Sequence, residues 1–318
     1  MSPTPPRSSP PNALTRRDFV GAVAGTIATA ALGSKALAQS VADGAPLPGA
    51  QTTYPIGLEL YAVRRELARD LPDTLKTVAG IGYQVVEFYA PYLAWTIPYA
   101  KEVRQQLDDL GIKCFSTHNS FAALTPGETM SKAIEINHIL GSRYIILASA
   151  PQGTDGVEGW TRLSGQLADA SKQLESQGLA AGYHNHSAEW QKLDNGQRIM
   201  DVIAANTPSN FVLQLDVGTC VEAGADPVGW IKGNPGRIRS IHLKDWAPGS
   251  PEQEKGYRVL FREGISPWKG IIAAAESVGG IEFYLMEQEG SRFTEYETAR
   301  RCYDSWRDLR RPPLKKKR

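Results

Sequence analysis

From Tyr54 onward, short apolar segments rich in β-branched residues alternate with longer amphipathic segments. The amphipathic segments carry apolar residues three and four positions apart and end near a glycine, which is typical of helices. The apolar segments predict eight strands, at residues 56–63, 84–90, 113–119, 144–150, 180–186, 211–217, 238–245 and 282–289. The amphipathic segments predict helices that include residues 71–82, 100–112, 131–141, 159–179 and 267–280.

Strict alternation of strands and helices predicts a parallel sheet with right-handed crossovers. Eight such units in about 250 residues match an α/β fold of the (β/α)₈ TIM-barrel type, built as a single domain. An open, doubly wound sheet is the alternative, but the first strand is not followed by the glycine-rich phosphate loop that is usual in that fold. The expected barrel domain extends over residues 54–309.

The two ends of the chain differ from the predicted barrel. A twin-arginine pair, a run of small apolar residues and an Ala-x-Ala site predict a signal peptide over residues 1–38, cleaved after about Ala38. Its apolar part of about 14 residues is too short for a permanent membrane anchor. The protein is therefore expected in the periplasm. Residues 39–53 are expected to form a flexible linker, and residues 310–318 a basic disordered tail.

The charge of the chain bears on its partners. The formal net charge is +1, and removal of residues 1–38 would leave 31 basic and 33 acidic side chains, a net charge of −2. Because binding to nucleic acid depends on a basic face, no nucleic-acid partner is expected. The expected partner is a small molecule, and the sequence leaves open whether the barrel forms a homo-oligomer.

Polar residues gather at the predicted strand ends, where TIM barrels carry their active sites. Four of the five histidines lie there. In the segment "AGYHNHSAEW", residues 181–190, His184, His186 and Glu189 fall within six positions. A buried imidazole costs free energy unless it is hydrogen-bonded or bound to a metal. The cluster therefore predicts either a polar network or a metal site.

Strands five to eight each offer one ligand that faces the barrel interior, because side chains alternate across a strand. These four ligands are His184, Asp216, His242 and Glu287. Imidazole and carboxylate together favour manganese, cobalt, zinc or iron over magnesium. Each residue alone has another interpretation: a hydrogen-bonded histidine, a turn cap at Asp216, or an ion pair between Glu287 and Lys244. The joint placement of all four predicts one divalent metal ion.

Eight segments of the chain, in this order, resemble the xylose isomerase-like TIM-barrel family, a group generally labelled sugar phosphate isomerases/epimerases. They are "IGLELYAVR", "GYQVVEF", "GYHNHSAEW", "LQLDVG", "AGADPVGWI", "GRIRSIHLKD", "REGISPW" and "MEQEG". The resemblance covers residues 55–309 and implies a divalent ion at the open end of the barrel, with Asp216, His242 and Glu287 as ligands. In the sugar epimerases and isomerases of that family, strand five ends in a glutamate that is both ligand and acid/base. His184 stands here instead, which weakens a mechanism based on paired carboxylates.

The predicted function is therefore that of a sugar isomerase or epimerase that works by metal-assisted proton abstraction next to a carbonyl or hydroxyl group. Glu287 or His186 is the expected base. Lys244 either stabilises the developing oxyanion or pairs with a carboxylate. The residues expected to contact the substrate are Glu87, His118, Glu189 and Trp246, with a buried pair as the alternative for Glu87 and His118, and a role in orienting His184 as the alternative for Glu189.

Three other functions stay open. One is a lyase that eliminates the leaving group of an oxidised, 3-keto glycoside after the same proton abstraction. The second is a non-catalytic sugar-binding barrel, which would not need a complete ligand set. The third, a metal-dependent endonuclease as in one branch of the family, conflicts with the charge and the predicted export signal. That signal, and the lack of a clear phosphate-binding loop, favour a neutral sugar or glycoside over a sugar phosphate.

Overall fold

A computed structural model describes residues 54–249 and 256–311. They form a closed barrel of eight parallel strands in sequence order, with β8 hydrogen-bonded back to β1. The strands are β1 Ile56–Glu59, β2 Val85–Phe88, β3 Lys113–Asn119, β4 Tyr144–Leu147, β5 Ala180–His184, β6 Val212–Asp216, β7 Ser240–Leu243 and β8 Phe283–Met286. The predicted single-domain (β/α)₈ barrel is confirmed. The predicted signal peptide and linker, and residues 312–318 of the predicted tail, lie outside the described residues.

Helices follow the strands and cover the outside of the barrel. They are α1 Arg64–Arg69, α2 Leu71–Ile81, α3 Ile97–Leu110, α4 Glu128–Leu140, α5 Gly156–Glu175, α6 Ile199–Asn206, α7 Val217–Glu222, α8 Pro227–Gly233, α9 Trp268–Ala274 and α10 Glu295–Arg310. Short 3₁₀ helices at Leu60–Val63, Ala90–Ala94, Phe121–Leu124 and Ser187–Trp190 lead out of β1, β2, β3 and β5. Among the described helices, none is both long and apolar enough to cross a bilayer.

All eight predicted strands form, but only β3 has the predicted length. β1 ends at Glu59 instead of residue 63, because Glu59 accepts a hydrogen bond from the Tyr61 backbone N–H at 2.7 Å and starts a 3₁₀ helix. Leu60 and Val63 in this helix are buried. Buried residues therefore continue past the strand, and an apolar pattern alone does not show where the strand stops.

The last helix extends to Arg310, which the sequence analysis placed in a disordered tail. The Arg310 side chain is buried, and its Nη1 donates to Glu276 Oε1 at 2.6 Å. Its guanidinium also lies over the Trp306 ring, 5.3 Å from the ring centre. This ion pair and ring contact hold the end of the helix, so Arg310 belongs to the helix and not to the predicted tail.

The lower part of the barrel interior is apolar. Its cluster consists of Val85, Tyr144, Ile146, Val212, Phe283 and Leu285. Gly57 and Gly182 face the same interior, because a Cβ added at either would lie within 3 Å of these side chains. The next inward position of β5, two residues after Gly182, is His184. The polar site therefore rests on a closely packed apolar floor.

The packing of this floor predicts a stability effect at Gly182. A Cβ there would lie 2.4 Å from Ile146 Cδ1 and 2.9 Å from the Val212 carbonyl oxygen. We expect Gly182→Ala to lower the free energy of unfolding by about 1–3 kcal/mol through overpacking. The matched control is Gly165→Ala in α5, where a Cβ meets nothing within 4 Å. It should raise stability by about 0.5–1 kcal/mol. Equal stability of the two variants in denaturant titrations would contradict this packing.

Candidate active site

The four predicted ligands converge at the carboxyl ends of neighbouring strands. His184 ends β5, Asp216 ends β6, His242 lies in β7, and Glu287 follows β8 directly. One potential ligand atom from each lies within 4.8 Å of the other three, and all four residues are buried. Asp216 and His242 are also paired in register. The structure thus brings together the four ligands that the alternation of side chains along strands five to eight predicted.

The donors of this cluster fit a divalent cation. Asp216 Oδ2 is buried and has no hydrogen-bond partner among the described residues. His184 Nε2 lies 3.8 Å away and Lys244 Nζ 3.7 Å away, both beyond hydrogen-bond range. Burial raises the pKa of Asp216 to about 6, although the Lys244 ammonium opposes this. A cation would satisfy the oxygen that the protein leaves unpaired, which is otherwise costly in a buried site.

His242 lies between two carboxylates. Its Nδ1 is 3.0 Å from Glu287 Oε2, and its Nε2 is 2.8 Å from Glu87 Oε1. Burial lowers the pKa of His242, but Glu87 and Glu287 outweigh burial and leave it well above the ordinary value. Burial raises the pKa of Glu287, but Lys244 and His242 bring it well below its ordinary value. The cluster therefore attracts positive charge, as a cation site must.

Glu87 and His118, predicted to contact the substrate, lie beneath the ligands and touch each other. His118 Nε2 is 3.2 Å from Glu87 Oε1. Gln214 Nε2 and Ser116 Oγ donate to Glu87 Oε2, the former at 3.0 Å. Burial raises the pKa of Glu87, but His118 and His242 lower it to about 2. Both oxygens of this ionised carboxylate are thus occupied by protein donors.

Lys244 occupies the mouth of the barrel among three carboxylates. Its Nζ donates to Glu289 Oε1 and lies 3.7 Å from both Asp216 Oδ2 and Glu287 Oε2. Burial lowers the pKa of Lys244, but Glu287, Asp216 and Glu289 raise it well above the ordinary value. Lys244 is therefore a fixed positive charge beside the ligand cluster.

His184, His186 and Glu189, from the segment 181–190, divide between the site and the loop that supports it. His186 is exposed, and its ring meets the His184 ring edge-on at 5.1 Å between centres. Glu189 accepts hydrogen bonds from the His186 backbone N–H and the Tyr183 hydroxyl, each at 2.8 Å. The His186 side chain accepts the Glu189 backbone N–H in return, which completes a capping box. Glu189 therefore fixes the loop that carries His186.

Trp246 begins the connection between β7 and α9. It is half-buried, and its backbone N–H donates to Asp245 Oδ1 at 2.9 Å. Asp245 also accepts hydrogen bonds from the backbone N–H groups of Arg262, Gly264 and Ser266 and from the indole of Trp268. Asp245 thus ties the start of this long connection to its end, beside the mouth of the barrel.

Sequence reasoning assigned no role to two buried polar residues of the site. Gln214 contacts His118 and His184. Its position two residues before Asp216, on the same face of β6, could have indicated that its side chain points into the barrel. Glu59 has a buried Oε1 without a hydrogen-bond partner among the described residues. Burial raises the pKa of Glu59 well above its ordinary value, and Glu287 and Glu87 add to the effect. Burial and the neighbouring carboxylates thus disfavour the ionised form of Glu59.

A family comparison matches residues 75–306 to the xylose isomerase-like TIM barrel. The chain belongs to this family. The resemblance expected from the sequence motifs is confirmed. The cluster described above lies at the carboxyl ends of the strands, where TIM-barrel enzymes in general carry their active sites.

The chain is also similar to individual proteins, in sequence or in fold. An inosose dehydratase of Clostridium botulinum is 25% identical over 167 residues, which cover 46% of this chain and 55% of the relative. The match thus spans little more than half of that relative. A sugar phosphate isomerase/epimerase from Parabacteroides distasonis superimposes with a TM-score of 0.68 at 22% identity, covering 82% of this chain and 96% of that one. A structure of an IOLI protein with a bound zinc atom gives a TM-score of 0.61 at 14% identity, covering 80% and 97%. The two superpositions show the shared fold.

Proposed function

We propose that this protein is a metal-dependent enzyme that abstracts a proton next to a carbonyl or hydroxyl group of a sugar or keto-sugar, as an isomerase or epimerase. The convergence of two imidazoles and two carboxylates around an unpartnered oxygen of Asp216 carries this proposal. The zinc atom in one structural relative, and the isomerase/epimerase description of another, support the metal and the substrate class.

The ligand groups would be His184, Asp216, His242 and Glu287. A divalent ion held there would polarise a substrate oxygen and stabilise the negative charge that develops on it. Two imidazole ligands favour manganese, cobalt, zinc or iron over magnesium.

Glu287 is assigned the role of the general base that takes the proton from the substrate. Its Oε2 is hydrogen-bonded to His242. Its Oε1 has no hydrogen bond among the described residues and can therefore accept a proton. Lys244, 3.7 Å from the same carboxylate, keeps it ionised and can stabilise a developing oxyanion. His186 is the alternative base, because it is exposed at the rim beside His184. Trp246 and His118 remain candidates for substrate contact.

The working protein is proposed to act on a neutral sugar or glycoside in the periplasm, after export by the twin-arginine signal and its cleavage near Ala38. The predicted signal motif supports the location. The near-neutral charge of the chain supports a small-molecule partner and no nucleic acid.

A lyase on 3-keto glycosides is the second candidate. One relative is an inosose dehydratase, and dehydration removes a leaving group after proton abstraction, as β-elimination from a glycoside would. His184 in place of the expected glutamate on β5 also favours a single base over two opposed carboxylates. Both candidates begin with the same proton transfer.

Exchange with deuterated water tests both candidates. Protein loaded with Mn²⁺ or Zn²⁺ is incubated with a panel of free sugars, keto-sugars and 3-keto glycosides, and products are followed by mass spectrometry and NMR. An isomerase or epimerase should incorporate one deuterium at the reacting carbon without cleavage. A lyase should also release the aglycone or second sugar. Binding of a sugar with neither label nor cleavage would favour the non-catalytic barrel and contradict the proposal.

A further inference from the structure

A hydrogen-bond network beneath the ligand cluster centres on the amide of Gln214. Its Nε2 donates to Glu87 Oε2 and Ser240 Oγ, each at 3.0 Å. These bonds use both amide hydrogens, and the carboxylate of Glu87 can only accept. The amide orientation is therefore fixed, and Gln214 Oε1 is an acceptor.

The fixed acceptor determines where two imidazoles carry their protons. His184 Nδ1 lies 3.1 Å and His118 Nε2 lies 2.6 Å from Gln214 Oε1. Because that oxygen cannot donate, each of these nitrogens carries a hydrogen. In a neutral His184 ring the lone pair is then on Nε2, the nitrogen that faces Asp216 Oδ2 at 3.8 Å.

Glu87 acts in the same way on His242, but on the other nitrogen. Its Oε1 accepts from His242 Nε2 at 2.8 Å, so the hydrogen there is fixed. In a neutral His242 ring the lone pair is then on Nδ1, which faces Glu287 Oε2 at 3.0 Å. The two imidazoles thus direct opposite ring nitrogens toward the two ligand carboxylates.

The same network acts against a competing site. His118, His184 and His242 form a second buried group whose nitrogens lie within 4.8 Å of one another. The nitrogens of this group that contact Gln214 or Glu87 all carry hydrogens, so they have no lone pair for a cation. A cation there could use only the other nitrogen of each ring, and in His184 and His242 that nitrogen faces Asp216 and Glu287.

We propose that Gln214 and Glu87 are positioning residues that set the ring tautomers of the two ligand histidines, so that His184 binds metal through Nε2 and His242 through Nδ1. The inference rests on the proposed metal site. It extends that site, since it assigns the ring nitrogen through which each of the two histidines would bind the ion. Partners of this kind outside the ligand set typically change metal affinity by about 10- to 100-fold.

Histidine NMR with Zn²⁺ alone as the probe tests the tautomers directly. The chain has five histidines, so two-bond ¹H–¹⁵N correlation spectra of ¹⁵N-histidine-labelled protein remain simple to assign. In the zinc-loaded protein we expect His184 with its hydrogen on Nδ1 and His242 with its hydrogen on Nε2. Either ring in the opposite tautomer would overturn the inference.

Zinc affinity tests the positioning role independently. Gln214→Met and Glu87→Met should each raise the zinc dissociation constant about 10- to 100-fold in competition with a chromophoric chelator. Glu295→Gln is the matched control, because Glu295 is also a buried carboxylate but accepts hydrogen bonds from Arg65 and Glu66 and is not part of the ligand cluster. It should keep the affinity of the unchanged protein.

The outcomes separate the two proposals. If the unchanged protein binds no Zn²⁺, Mn²⁺ or Co²⁺, the proposed metal-dependent function fails. If it binds zinc and the Gln214 and Glu87 variants bind equally well, only the positioning role fails. Thermal unfolding without metal shows whether each variant is folded. Should both variants be unfolded, the tautomers measured in the unchanged protein decide the question.

Discussion

The Asp216→Asn variant is expected to lose divalent-metal binding while its metal-free fold is no less stable than that of the unchanged protein. Loss of a carboxylate ligand should weaken binding by more than about 100-fold, since a partner outside the ligand set already contributes about 10- to 100-fold. Proton exchange into substrate should fall to background. Metal titration and deuterium incorporation measure the two effects.

The two carboxylate oxygens of Asp216 explain why the metal-free Asp216→Asn variant should be no less stable than the unchanged protein. Oδ1 accepts the Thr219 backbone N–H at 2.8 Å and caps α7, a role that asparagine also fills well. Oδ2 is buried without a hydrogen bond among the described residues, and Lys244 Nζ at 3.7 Å offsets only part of the cost of its negative charge.

The pH dependence of the metal-free protein has a definite sign. Burial raises the pKa of Asp216 from its ordinary value of about 4 to about 6. A raised acid pKa means that the folded state holds the proton more tightly, so stability is lost as pH rises from about 4 through 6. Asp216→Asn removes this loss, and its advantage should therefore appear above about pH 6. An asparagine variant that unfolds more easily at pH 7 without metal would instead assign Asp216 a purely structural role.

Hydrophobic periodicity predicted the barrel because every strand of a parallel sheet is buried on both faces and appears as a short apolar run. The helix at Glu295–Arg310 was not predicted, although its buried residues Ala299, Cys302, Trp306 and Leu309 follow helical spacing. Small or rare apolar residues among many charges give a weak periodic signal. Helices α7 and α8 have six and seven residues, too short for periodicity to show.

The ligand set could be predicted for a different reason. Strand ends in a parallel barrel share one rim, so residues from β5 to β8 meet whatever their separation in sequence. The role of Glu87 could not be found in this way. Its contact with His242 joins residues 155 positions apart across the barrel, and it depends on the barrel's width rather than on any local pattern. Gln214 was not predicted, because a neutral amide does not titrate and is not a usual ligand of transition metals.

Replacing the proposed base removes the proton acceptor and a charged metal ligand at once. Glu287→Gln should therefore weaken metal binding, as Asp216→Asn does, because a neutral amide takes the place of a carboxylate. Loss of a general base typically lowers the rate about 10²- to 10⁴-fold. We therefore expect deuterium exchange to fall by at least that factor, even when the metal concentration is raised until elemental analysis shows that the site is filled.

Two further variants decide between the candidate bases at this site. His186→Gln should reduce exchange less than about 10-fold if the exposed imidazole only lines the rim, since a true base would contribute far more. Glu289→Gln is the matched carboxylate control, because Glu289 pairs with Lys244 but is not part of the four-ligand group. A large loss in His186→Gln with a small loss in Glu287→Gln would transfer the base to His186. His186 is not one of the four ligand residues. That result would therefore leave the metal site in place and change only the residue that takes the proton.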